Sequence, residues 1–151
     1  IIMKRIFTVI AVMMACLSMH AQAELFSKYD NTQGVTTVYV SKSMLSIMPQ
    51  MKTGGVDIGS IAQKLDNISI LTCERPSMIG GIKQNASAIY SRDGYEEVMK
   101  LNDSDSHTVI YMKQLSGGTN EFALVNTENN VLRIVNIKGR ISLRDIQSIT
   151  H

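Results

Sequence analysis

The stretch GVTTVYVSKSML, residues 34–45, decides the fold predicted for this chain. Residues Val35 to Val40 are β-branched or aromatic, which is the composition of a β-strand. Ser41 or Ser43 can then cap a helix that runs to about Met48. A strand that leads directly into a helix predicts a layered α+β domain.

The first 23 residues have the three parts of a secretory signal peptide. These parts are the basic pair Lys4-Arg5, the apolar run Ile6–Leu17 and the A-x-A site Ala21–Ala23, with Ile1-Ile2 upstream of Met3, the expected initiator. The apolar run is shorter than the roughly 20 residues that a membrane-spanning helix needs. We therefore expect cleavage between Ala23 and Glu24, which leaves one domain, residues 24–151, without a transmembrane span.

A lipoprotein signal is the alternative interpretation of this N-terminus. Met13-Met14-Ala15-Cys16 would then be the lipidation signal, and Cys16 would carry the lipid. A Leu would be expected where Met13 stands, and the later A-x-A site would have no use. The first interpretation predicts a periplasmic or secreted protein, and the second predicts a protein anchored at Cys16.

Composition limits the classes of partner. Apolar residues make up 44% of the chain and charged residues 19%, which is typical of a globular protein. Removing residues 1–23 takes away Lys4 and Arg5, so 13 basic residues remain against 13 acidic ones and the formal charge is zero. Without a basic field, nucleic acid is a poor partner, and attraction to an anionic membrane surface is equally unsupported.

Cys73 is the single cysteine of the expected mature chain, so no intrachain disulfide can form. A reactive thiol needs an electropositive and partly exposed setting. Because Cys73 ends an apolar stretch, the sequence favours a small buried residue in a strand.

Hydrophobic periodicity predicts the remaining elements. They are a short helical turn carrying Leu25, Phe26 and Tyr29, a helix over Ile58–Asp66, a strand over Ile68–Cys73, a helix from Pro76 to about Ser91, strands over Tyr95–Leu101, Thr108–Lys113, Glu121–Val125 and Val131–Lys138, and a last helix capped by Ser142 with Asp145. The order β-α-α-β-α-β-β-β-β-α predicts a two-layer sandwich. Its sheet would be mixed but mainly antiparallel, with the helices on one face.

Several stretches resemble a family of domains of unknown function, family 4252. They are LFSKYDNTQGVTTVYVSKSML, GGVDIGSIAQKLDNISILTCE, GYEEVMKLND, HTVIYMK and ISLRDI, and together they cover most of residues 24–149. The resemblance implies a small exported protein of a Gram-negative bacterium with an α+β fold, and it brings no catalytic residue. The chain departs from the family in its long helix, where Gly80-Gly81 and few charges stand in place of a more charged sequence.

Asp103, Asp105 and His107 form the most specific pattern of candidate metal ligands in the chain, D-x-D-x-H. Carboxylates with a histidine can hold a divalent metal ion. The segment lacks the central glycine and the closing glutamate of a helix-loop-helix calcium site. A solvated turn between two strands is the simpler interpretation.

Other patterns in the sequence are weaker indications of a functional site. Adjacent carboxylates such as Glu96 and Glu97, near Asp93, point to opposite faces of a strand and are typical of a solvated edge. Met44, Met48 and Met51 have helical spacing, and core filling is the usual role of such a stripe, with an adaptable binding face as the alternative. The glycine pairs match no phosphate-binding motif, and no nucleophile elbow accompanies His107 or His151.

The sequence therefore predicts an exported domain that serves as a non-enzymatic interaction or accessory module in the envelope, with a protein or small-molecule partner. The alternatives are a ligand-sensing envelope protein and a metal-dependent hydrolase centred on Asp103, Asp105 and His107. No cofactor is indicated by any motif.

Overall fold

The computed structural model describes residue 2 and residues 21–47, 52–53, 56–57, 59 and 61–149, and a six-stranded sheet forms its centre. The strands are β1 Val35–Ser41, β2 Lys52–Thr53, β3 Val56–Asp57, β4 Leu65–Cys73, β5 Glu96–Asn102, β6 Ser106–Gln114, β7 Asn120–Glu128 and β8 Val131–Gly139. The helices are α1 Ala21–Tyr29, α2 Lys42–Ile47, α3 Pro76–Arg92 and α4 Leu143–Ile149, with 3₁₀ turns at Ala62–Lys64 and Ser116–Gly118. The sheet has the order β1-β4-β8-β7-β6-β5, and β2 and β3 pair with each other.

The α+β class and the four successive strands of the second half are confirmed. Every pairing among the described strands is antiparallel, so the sheet is not mixed in this part of the chain. Asn129 and Asn130 join β7 to β8 with φ angles of 50° and 61°. Such positive angles give a two-residue turn the twist that an antiparallel hairpin requires.

The prediction that the helices lie on one face is wrong, because both faces of the sheet are covered. Helices α1 and α3 share one buried cluster with Leu71 and Cys73 of β4. Helices α2 and α4 share a second cluster with Ile68 and Ile70 of the same strand. Since neighbouring residues of a strand point to opposite faces, a strand that is apolar throughout needs cover on both sides.

The predicted helix over Ile58–Asp66 is also wrong in the part that the structure describes. Only a 3₁₀ turn at Ala62–Lys64 is present, and β4 begins directly after it. Leu65 pairs with Gly139 of β8, and Asn67 pairs with Lys138. Pairing with β8 therefore outweighs the helical periodicity of this short segment. Ile58 and Ser60, also part of the predicted helix, lie outside the described residues.

Two helix starts follow the sequence signals. The backbone N–H of Met44 donates to Ser41 Oγ over 3.4 Å, so Ser41 caps α2. Ser142 and Asp145 form the predicted reciprocal box at α4. The N–H of Asp145 donates to Ser142 Oγ over 3.3 Å, and the N–H of Ser142 donates to Asp145 Oδ2 over 2.9 Å. This backbone hydrogen bond is the main reason that the pKa of Asp145 is lowered.

Candidate functional site: an open sheet edge

Strand β1 forms one edge of the six-stranded sheet and, among the described residues, pairs only with β4. The N–H of Glu74 donates to the Gly34 carbonyl over 3.1 Å, so Gly34 faces β4. The N–H of Val35 instead donates to the Thr32 carbonyl over 3.1 Å, away from β4. Because backbone groups alternate in direction along an antiparallel strand, Thr37 and Tyr39 point their N–H and C=O groups outward from the sheet.

Local geometry sets the two ends of this edge. Gly34 has a φ of +85°, which favours glycine, and lies against the side chain of Arg75, which would have to move to admit a Cβ. At the other end, the Ser41 cap turns the chain into α2. The edge therefore has the length of β1, seven residues, and the register of β1 with β4 is regular from Val35↔Cys73 to Ser41↔Asn67.

Exposed apolar side chains concentrate on β1 and the helix that follows it. Tyr39 is 67% exposed and Val38 43%, while Met44 and Ile47 of α2 are 47% and 74% exposed. Among the described residues, the other large exposed apolar side chains are Ile2 and Leu101. Val38 and Tyr39 lie on opposite faces of the sheet, so apolar side chains are exposed on both sides of this edge. An exposed apolar edge strand is a template for pairing with another strand.

The opposite edge, β5, has the features that prevent strand pairing. Its sequence includes Glu96, Glu97 and Lys100, and Glu97 pairs with Lys100 over 3.1 Å. The register with β6 shifts between Glu97 and Met99, which marks a bulge. Charge and a bulge protect an edge against other strands, whereas β1 has neither.

The predicted metal residues lie at the turn between β5 and β6. The N–H of Asp103 donates to the Ser106 carbonyl over 2.8 Å, and Asp103 Oδ1 accepts from the N–H of Ser104 over 2.7 Å. His107 Nδ1 lies 3.1 Å from Asn102 Oδ1. In the part of the chain that the structure describes, no group of three or more His, Cys, Asp or Glu side chains could hold a metal ion. Asp103 and Asp105 lie in the turn and His107 lies in β6, and among the described residues the three do not form a ligand set.

Cys73 is fully buried, as its strand context predicted, and its Sγ donates to the Arg75 carbonyl over 3.5 Å. The expectation that Met44 fills the core is wrong, because α2 turns Leu45 inward and Met44 outward. Glu96 and Glu97 are exposed on an edge strand, as predicted. Met48, Met51, Gly54-Gly55 and His151 lie outside the described residues.

The predicted cleavage site falls within α1, which begins at Ala21. Glu24 forms an ion pair with Arg92 of α3, and Leu25 and Tyr29 are buried, as the helical spacing predicted. Residues 3–20, with Cys16, lie outside the described residues, so export and lipidation stay predictions. Within the described residues, no helix has the length and apolar character that crossing a membrane requires.

A buried polar contact lies on the sheet face that α3 covers. Asn136 of β8 is 1% exposed, and the Tyr90 hydroxyl donates to its Oδ1 over 2.8 Å. The Tyr90 ring lies 5.0 Å from the Tyr95 ring and 5.1 Å from the Tyr111 ring, measured between centroids. Among the described residues, Asn136 Nδ2 has no hydrogen-bond partner. This contact holds α3 against the centre of the sheet.

We expect Tyr90→Phe to lower the free energy of unfolding by about 1–3 kcal/mol, because it leaves Asn136 Oδ1 buried and unpaired. Urea unfolding measures the loss. The double variant Tyr90→Phe with Asn136→Leu should recover most of it, since it removes both polar partners. A double variant no more stable than Tyr90→Phe would contradict this account.

Burial is the main reason that the pKa of Tyr90 lies well above its ordinary value of 10.0. A raised pKa in the folded state means that the Tyr90 contribution to stability is present below the unfolded pKa and is lost as pH rises. The free energy of unfolding of Tyr90→Phe should accordingly fall less steeply with rising alkaline pH than that of the native sequence.

Sequence reasoning found β1 without finding that it is an edge. Its strand composition is the same whether the strand lies inside a sheet or at its border, because Val, Thr and Tyr suit both. The lack of an apolar–polar alternation in Val35–Val40 does not distinguish the two cases, because covered central strands also carry apolar side chains on both faces. Strand order, which decides the matter, is a long-range property.

The chain matches the sequence profile of one known family over residues 29–149, and the description of that family is "Domain of unknown function (DUF4252)". This agrees with the resemblance that the motifs indicate. No curated protein and no solved structure matches the chain.

Proposed function

This chain belongs to the family of domains of unknown function DUF4252, and we propose that it is an exported interaction module that binds an extended segment of a partner protein at the edge of β1. The observation that carries the proposal is the outer side of β1, which is regular, uncharged and unpaired among the described residues, with Tyr39 and Val38 exposed beside it. A peptide that adds a strand to a sheet gains main-chain hydrogen bonds, and side-chain contacts give specificity.

The chemistry of the edge defines the partner segment. Thr37 and Tyr39 offer outward backbone groups, so the segment must be extended and must supply N–H and C=O groups in return. Val38 lies on the sheet face of α2 and α4, and Tyr39 lies on the face of α3. An uncharged segment with apolar side chains on both faces fits these contacts. Tyrosine is a frequent anchor in protein interfaces.

Export supports the same proposal from the N-terminal sequence. The basic pair, the apolar run and the A-x-A site at Ala21–Ala23 are the parts of a signal peptide. An exported domain with an open edge meets its partner outside the cytoplasm. The mass of the processed protein should therefore correspond to a chain that begins at Glu24, and a mass that includes residues 3–23 would contradict export.

The binding test replaces Tyr39 with the photoreactive residue p-benzoylphenylalanine in the full chain, in cells that produce it. Irradiation should yield a covalent adduct with a protein. The matched control carries the same residue in place of Leu101, which is 39% exposed on the opposite edge, and should yield little adduct. Equal adduct at the two positions, or none at position 39, would overturn the proposal.

A second substitution tests the backbone rather than the side chain. Thr37→Pro removes an outward N–H without removing a hydrogen bond to β4, since proline is tolerated where the N–H of an edge strand faces away from the sheet. We expect the position-39 adduct to fall several-fold. Thr37→Val is the control, because it keeps the N–H and loses only the hydroxyl that donates to Asp30 Oδ1 over 3.0 Å.

A further inference from the structure

We propose that the partner at this edge is a second copy of the chain, paired β1 to β1 in antiparallel orientation about a twofold axis. This inference rests on the proposed function and names its partner. The two sheets would then join into one twelve-stranded sheet, twice the six strands of a single copy.

Charge favours self-pairing at this edge. The sequence of β1, VTTVYVS, contains no ionisable group except the Tyr39 phenol, so no like charges stand opposite each other when two copies pair. The expected mature chain also has 13 basic and 13 acidic residues, so two copies do not repel each other through their net charge. An uncharged edge on a domain of zero net charge suits a partner that is its own copy.

The charges that flank β1 favour the antiparallel orientation. Asp30 lies beside Thr37 near the beginning of the strand, and Lys42 follows its end, 3.6 Å from Asp66. Glu74 and Arg75, one of each sign, also lie near the beginning. Antiparallel pairing brings Lys42 of one copy toward the Asp30 end of the other, whereas parallel pairing would bring the two Lys42 side chains together.

Symmetry gives this assembly a natural end point. A β1–β1 contact uses the same surface on both copies, so it closes at two chains. The edges left at the ends of the joined sheet are the two β5 strands, which are charged and bulged. Pairing β1 with β5 of another copy would instead build an open chain of molecules, and the charge and bulge of β5 disfavour that contact.

The side chains of β1 also match in a twofold contact. The residues with outward backbone groups, Thr37 and Tyr39, pair with each other when Val38 lies on the axis. Val38 then faces Val38 of the second copy on one side of the sheet. Tyr39 faces Thr37 of the second copy on the other side. The two exposed apolar side chains of β1 are both covered in this arrangement.

Sedimentation equilibrium of the purified exported protein tests the inference, and we expect a mass of two chains. Val38→Lys should give a single-chain mass, because Val38 faces its own copy at the axis and the variant places two cations directly opposite each other. Leu101→Lys, on the opposite edge, is the matched control and should stay a dimer. Thr37→Pro is a second variant in case Val38→Lys does not fold, and circular dichroism establishes that each variant is folded. A dimer that survives in a folded edge variant would overturn the inference.

The photochemical adduct separates failure of this inference from failure of the proposed function. An adduct of twice the chain mass at position 39 supports the β1–β1 dimer. A single-chain mass in sedimentation together with an adduct to a different protein overturns the dimer and leaves the interaction module standing. A single-chain mass without any adduct at position 39 overturns both.

Discussion

Gly139→Ala should lower the free energy of unfolding by about 3 kcal/mol, an effect at the upper end of the costs of overpacking. An added Cβ at Gly139 would lie 2.3 Å from the Lys64 carbonyl oxygen and 2.8 Å from Leu65 Cα. These are backbone atoms, so no side-chain rotation can relieve the contact. The last residue of β8 would have to separate from the first residue of β4.

The position of Gly139 explains why the cost spreads beyond one contact. Gly139 pairs with Leu65 of β4 and with Asn120 of β7, and the N–H of Arg140 donates to the Lys64 carbonyl over 2.9 Å. Strand β8 lies between β4 and β7, so a displaced end disturbs both ladders. Urea unfolding should show a lower midpoint.

Gly80→Ala is the matched control for the same chemical change. Gly80 lies inside α3, and an added Cβ there has no atom within 4 Å. Alanine in a helix interior is favoured over glycine by about 1 kcal/mol, so this variant should be more stable than the native sequence. If Gly139→Ala also stabilised the protein, that result would contradict the close contact between Gly139 and the Lys64 backbone.

The sequence predicted best what depends on neighbours in the chain. The strands from Tyr95 onward could be placed because turn residues such as Asn129-Asn130 separate apolar runs. Ser142 and Asp145 could be recognised as a capping box because their spacing is fixed by the first helical turn. The structure places all of these elements within a few residues of the prediction.

The errors arise where distant contacts decide the outcome. The segment before Asp66 has helical spacing, but Leu65 and Asn67 pair with β8, some 70 residues away in sequence. Propensity is a weak preference that such a ladder overrides. The prediction of two layers, with the helices on one face of the sheet, is wrong for the same reason. Ile68–Cys73 is visibly apolar on both faces, but the helices that cover each face can be assigned only when the sheet order is known.

The candidate site belongs to this second class. The sequence predicts a strand through Val35–Val40 and a helix after it, yet the exposure of Tyr39 and Met44 follows from the position of β1 at the border of the sheet. The D-x-D-x-H pattern is visible in the sequence because it is local, and the structure places its two aspartates in a turn and its histidine in β6. A docking edge made of backbone groups leaves little trace in the sequence.

Phe122→Ala should lower the free energy of unfolding by about 4 kcal/mol, because it removes a fully buried aromatic side chain. Phe122 lies in β7 opposite Met112 of β6 and Ile137 of β8. Its cluster also includes Ile146 of α4. Strand ladders on both sides hold the backbone in place, so the surrounding structure can collapse only partly into the space that the ring leaves.

The size of this effect reports on the α4 layer. If α4 covers this face, as the cluster around Phe122 indicates, Phe122→Ala leaves a cavity and costs far more than Leu101→Ala, whose side chain is partly exposed. Phe122→Leu should cost less than Phe122→Ala, because it fills part of the same space. Urea unfolding of the three variants gives the comparison. A similar loss for Phe122→Ala and Leu101→Ala would mean that this face is open to water, because only a covered face turns the loss of a side chain into a cavity.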